Sequence, residues 1–158
     1  MTTETSALRM WRRLSRWPLG RWLFTRAVCL RAPYFSSLSP LILEIEPDHV
    51  TARVRKRRKV KNHIGTVHAL ACANLCELCA GVLMEAAIPA DRRWIPRGMH
   101  IEYLAKAATD VTATARLPET QWDDGEDVAV DVSVRGEDGT EVVHAVIRMY
   151  ITARPARA

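Results

Sequence analysis

The chain has 158 residues, 48% of them hydrophobic and 26% charged, with a formal net charge of +5. That suits one domain with a proper core, excludes a disordered chain, and makes an anionic partner reasonable. Four cysteines, three of them between Cys72 and Cys79, do not form a disulfide framework and fit a reducing, cytoplasmic setting.

From Thr5 to Leu43 there is no acidic residue, but there are seven arginines: 9, 12, 13, 16, 21, 26 and 31. Trp11, Trp17 and Trp22 are interleaved with them. Leu8, Trp11, Leu14 and Ser15 make a helical stripe, Pro18 breaks it, and Leu19, Trp22, Leu23, Arg26 and Leu30 resume it. An organelle-targeting peptide is a weaker option for residues 1–32, since serine is scarce, and two readings compete there. One is a helical arm packed on its own domain with its arginines in water. The other is a membrane-surface helix with tryptophans at the headgroup level. Trp22 to Leu30 is interrupted by Arg26, so it is neither a membrane span nor a signal peptide.

Residues 33–158 read differently. Leu41 to Glu46 and Val50 to Arg55 alternate around the turn Pro47-Asp48-His49, which predicts a hairpin. The basic run Arg55 to Lys59 follows. It has no aromatic interleaving for base stacking, so nucleic acid is not an expected partner. Good helix formers fill Ala69 to Ala87, and no proline appears before Pro89, so a helix of about five turns is expected there. It carries few polar groups, as a helix buried on most sides does. Beyond it, Arg92 to Leu104 reads as a long strand bent near Pro96-Arg97-Gly98. Asp110 to Leu117, Glu126 to Arg135 and Glu141 to Ala153 supply further strands. The fold class is therefore α+β. A curled antiparallel sheet of about six strands wraps one long central helix, with an N-terminal helical arm, which is the hotdog architecture.

Glu77 is the one acid near the middle of the helix. At about 100° per residue, setting His68 at 0° puts Glu77 near 180°, with Ala73, Ala80, Gly81 and Met84 on its side. Cys72, Cys76, Cys79 and Leu83 fall on the other side, suited to the sheet. A carboxylate among small residues is expected either to do chemistry or to pair with an arginine. His68, Cys72, Cys76 and Cys79 share a stripe, but they span roughly 16 Å of helix and cannot bind one metal. No metal is expected.

Asn62, Gly65 and His68, with Glu77 nine positions after the histidine, carry a resemblance. The spacing is similar to that of the hotdog-fold thioesterase superfamily, in particular its phenylacetyl-CoA thioesterase-like branch. Within the branch the chain looks most like a bacterial group known as a domain of unknown function. Ile101 to Ala107 and Gly139 to Ala145 resemble the branch's strand after the helix and its final hairpin. The resemblance implies an acyl-CoA thioesterase without cofactor, CoA being part of the substrate. Glu77 would be general base or nucleophile, the Ala69 N–H would polarise the thioester carbonyl, and Asn62 and His68 would position substrate or water. Gly65 would let backbone approach closely. Where the branch commonly has two glycines after the histidine, this chain has Ala69-Leu70, and Leu70 narrows the space. Arg57, Arg58 and Arg97 are candidates for the phosphates of CoA. The partners expected are an acyl thioester, a second copy or a dimer of dimers, and weak membrane-surface contact through the arm. Two rivals stand beside hydrolysis: a non-catalytic acyl-CoA or fatty-acyl binder, and a membrane-peripheral interaction protein.

Overall fold

Val128, Val130, Val132 and Val134 lie two residues apart, so an extended chain must put all four on one face. All four are buried. They belong to β5 (Asp127–Gly136) in a computed structural model that describes residues 4–155. Ahead of it come α1 (Ser6–Leu14), α2 (Gly20–Arg31), a 3-10 turn (Pro33–Leu38), β1 (Leu41–Ile45) and β2 (His49–Val54). A short 3-10 turn (Arg58–Val60), α3 (Ala69–Ala87), β3 (Arg92–Tyr103) and β4 (Val111–Arg116) follow, and β6 (Glu141–Ala153) closes the chain.

The strands form one antiparallel sheet in the order β1-β2-β4-β5-β6-β3. It curls around α3, whose Cys72, Leu75, Cys76, Cys79 and Leu83 are each 1% exposed or less. This helix and the valine-rich strands bury one continuous hydrophobic core. Among the described residues α3 is the one helix long and apolar enough to cross a membrane; most of it is buried, as in a core helix. β3 bends where expected: its register against β6 shifts between Pro96 and Gly98, where a missing N–H is tolerated.

The arm is helical and packed: α1 by the stripe its sequence suggests, α2 by a different face. Leu8 and Trp11 of α1 and Phe24 of α2 are buried, and the Trp11 and Phe24 rings meet edge to face at 5.3 Å. Thr5 caps α1 by accepting from the Leu8 N–H and donates its own hydroxyl to the carbonyl of Ala86, tying the arm to the end of α3. Yet Leu19, Trp22, Leu23 and Leu30, the apolar stripe of α2, are 49–76% exposed. The buried side of α2 is Phe24, Thr25 and Cys29 instead. Thr25 is 2% exposed and bridges elements: its hydroxyl donates to the Arg21 carbonyl and accepts the Ile42 N–H of β1 at 3.0 Å.

A second correction concerns α3. Ala80 and Met84, read as neighbours of an open Glu77 face, are fully buried. A helical wheel assumes cover from one direction. Here α1 and the Pro33–Leu38 turn also pack on α3, leaving only Glu77 and Glu85 exposed along its length after Leu70.

Candidate functional site

The loop before α3 is folded by its own polar groups. Asn62 accepts the Ile64 and Thr66 N–H groups on Oδ1 and donates from Nδ2 to Thr66 Oγ1 at 2.8 Å. Its backbone N–H reaches the Thr66 carbonyl, and the Gly65 N–H returns to the Asn62 carbonyl. This is an Asx-type closure, and it makes Asn62 the frame of the loop. Gly65 sits at φ +84°, and nothing lies within 4 Å of where a Cβ would be. Its requirement is the left-handed backbone and not a close approach within the chain.

The loop delivers His68 to the N-cap of α3. The ring Nδ1 accepts the Leu70 N–H at 3.1 Å, so the neutral ring carries its proton on Nε2. The His68 carbonyl takes the N–H groups of Ala71 and Cys72. Among the described residues nothing takes the Ala69 N–H. A free amide at the positive end of a helix of 19 residues is a donor aimed at whatever negative charge approaches. His68, Ala69 and Leu70 are all exposed, Leu70 to 69%.

Glu77 lies eight residues further along α3. It is exposed and makes no ion pair or hydrogen bond among the described residues, so the arginine-paired alternative is not what the structure contains. Eight residues of helix rise about 12 Å, so the Ala69 N–H and the Glu77 carboxylate of one protomer cannot meet on one carbonyl.

The three arginines are not brought together. Arg57 donates to the Ser39 carbonyl at 2.9 Å, and Arg58 beside it is exposed and, among the described residues, makes no ion pair. Arg97 stacks on the Tyr150 ring at 3.9 Å and pairs with Asp127 at 3.1 Å. Register places Arg97 at the other end of the sheet: Tyr150 faces Asp127 at the start of β5, whereas Val54, just before Arg57, faces Val111 at the start of β4, which pairs the end of β5.

The thiols behind the site are inert. Burial pushes the Cys72 thiol up to about 11 and, with the neighbouring Cys72, the Cys76 thiol up to about 12; burial raises Cys79 further. Among the described residues no three His, Cys, Asp or Glu side chains are placed to hold a metal. Sequence reasoning missed Asn74. It is 8% exposed on α3, and its Oδ1 is buried without a donor. A lone amide within an Ala/Cys/Leu run was the available signal.

Exposed apolar side chains lie on the loop and helix start (Ile64 and Leu70) and on or just after β3 (Met99, Tyr103 and Leu104), all 36–69% exposed, and β3 is an edge strand with one side unpaired.

Solved structures share this fold. A thioesterase from Haemophilus influenzae is 13% identical over 76% of this chain and 82% of its own, with a TM-score of 0.68. A hypothetical thioesterase from Streptococcus pneumoniae, solved with coenzyme A, is 17% identical over 77% and 92%, with a TM-score of 0.64. Such likenesses establish the fold, and the chain is a hotdog protein with the architecture these thioesterases use. A structural-genomics protein solved as APC5556 is 40% identical over 92% of this chain and 97% of that one, with a TM-score of 0.80. The family model described as "Domain of unknown function (DUF4442)" matches residues 20–151, and the chain belongs to that family. No curated protein matches it.

Proposed function

We propose that this protein hydrolyses acyl thioesters, CoA thioesters among them, at a site that two copies complete. The observation that carries the reading is the free Ala69 N–H at the start of α3 combined with an unpartnered, solvent-facing Glu77 on the same helix. The amide polarises the thioester carbonyl where negative charge develops. Glu77 acts as general base on the attacking water, or attacks the carbonyl itself, expelling the thiolate to give an acyl anhydride that water then hydrolyses to the free acid and the Glu77 carboxylate. As base it takes a proton from water as the water oxygen bonds the carbonyl carbon; the C–S bond then breaks, leaving the free acid, and the thiolate leaves with that proton. His68 Nε2–H faces solvent beside the amide and orients substrate. The 12 Å between amide and acid within one helix is bridged by a second protomer.

That second protomer has a docking surface of its own. An unpaired 12-residue edge strand flanked by Ile64, Leu70, Met99, Tyr103 and Leu104 is self-complementary under a two-fold. A dimer, or a dimer of dimers, covers it. Of the arginines, Arg57 and Arg58 are the better candidates for CoA phosphates, because Arg97 is already engaged by Asp127 and Tyr150. Four free thiols suit a cytoplasmic setting.

Thiol release from a panel of acyl-CoAs, read beside thermal shift with CoA, tests the reading. Turnover supports the hydrolase. A thermal shift without turnover on any acyl chain identifies a binder instead.

The outward stripe of α2 favours a second reading. Trp17, Leu19, Trp22, Leu23 and Leu30 point away from the core among arginines, the composition of an interfacial helix on an anionic surface. Salt-sensitive binding to vesicles rich in anionic lipid, lost when Trp22 and Leu23 become serine, is the expected result. Equal sedimentation of both forms with the vesicles removes the arm from membrane contact.

A further inference from the structure

A cavity of about 390 Å³ lies between the arm and α3. Phe24, Val28 and Phe35 wall it from one side, Leu78 and Gly81 from the other, with Trp94 of β3 across one flank. This volume is within the range that holds a small organic ligand. Its walls are set by specific contacts. The Trp94 indole N–H donates to Glu85 Oε1 at 3.0 Å, fixing the ring. A Cβ on Gly81 would stand 3.3 Å from the tip of that ring, so bare backbone forms the floor where ring and helix meet.

The position of the cavity relative to Glu77 gives it an occupant. Leu78 and Gly81 are the first residues of α3 to line it, and Glu77, Gly81 and Glu85 are spaced i, i+4, i+8 along one face. The cavity therefore opens about one helical turn, roughly 6 Å, beyond the carboxylate. We infer that this cavity takes the hydrocarbon tail of an acyl thioester, a straight chain of medium length, whose reacting end lies at Glu77. The inference rests on the hydrolytic reading for where the chain enters, but not for whether the cavity binds it. The arm is thus part of the acyl site: two of the aromatic walls, Phe24 and Phe35, come from α2 and the turn after it.

Burial of each methylene in such a cavity is worth about fourfold in affinity. The test uses the full chain carrying Glu77→Gln, so that ligands survive, and titrates butanoyl-, octanoyl- and dodecanoyl-CoA by calorimetry. Affinity is expected to climb steeply from butanoyl to dodecanoyl. Ala27→Trp, at the exposed rim of the cavity, is expected to lower the dodecanoyl-to-butanoyl affinity ratio at least tenfold. Ala32→Phe provides the same block if the first variant does not fold. A series that is flat, or that climbs equally in a folded blocked variant, overturns the inference. The wild-type turnover assay separates the two claims. Turnover with a flat series refutes the cavity and keeps the hydrolase. A steep series abolished by the block, without turnover on any chain, refutes the hydrolase and keeps the cavity.

Discussion

Glu77→Gln is expected to reduce thioester turnover at least about 100-fold while leaving melting temperature and assembly unchanged. Glutamine keeps the volume and the hydrogen-bonding reach of glutamate but has no basic oxygen to take a proton from water. The structure sharpens the second half of the expectation. Glu77 is exposed and, among the described residues, unpaired, so its replacement belongs with surface substitutions, which usually shift stability by less than about 0.5 kcal/mol. A buried ion pair would behave in the opposite way, costing several kcal/mol on loss of one charge. Thiol release by the variant, measured with the best substrate of the wild type, decides the matter. Activity within a few-fold of wild type would show that the carboxylate is a bystander.

Met99→Lys combined with Tyr103→Lys is expected to give a monomer at micromolar concentration and a loss of turnover as large as that of Glu77→Gln. The two side chains lie four residues apart on the same face of the edge strand β3 and are 36% and 50% exposed. Lysines there set like charges against each other across a two-fold and charge an otherwise apolar edge, the device natural edge strands use against pairing. Because amide and acid are about 12 Å apart in one helix, the proposed two-copy site would be incomplete in a folded monomer. Light scattering and the thioesterase assay, run on the same sample, measure assembly and turnover together. A monomer with full turnover would refute the two-copy site, and a persistent dimer would place the interface elsewhere.

Most of the fold was legible because its elements announce themselves locally. The helix runs over Ala69–Ala87 as the sequence predicts, bounded by a histidine cap and by Pro89. The valine alternation of β5, the bend at Pro96 and the final hairpin likewise rest on residue type and spacing alone. What was not legible depends on which surfaces meet. Ala80 and Met84 are buried because the arm covers α3 from a direction that periodicity cannot supply. The stripe on α2 was visible, but the wheel cannot tell an inward stripe from an outward one. Asn62 was visible as a motif residue; its engagement by Ile64 and Thr66 follows from loop geometry. Asn74 was overlooked because a single amide has no period.

The threonine that joins α2 to β1 has a consequence for how copies of this chain can accumulate. A sheet has two borders, and a protein that leaves both open can add subunits without end, as fibrils do. Here the β1 border is five residues long, is irregular between Ile42 and Glu44, and has its Ile42 N–H occupied by Thr25. The chain's own first helices cover that side, so if copies pair through β3, as proposed, that pairing would use the one free border and close the assembly at a finite size. In such an assembly the arm would work as a chain terminator in the polymer sense, converting a protomer with two sticky ends into one with a single sticky end.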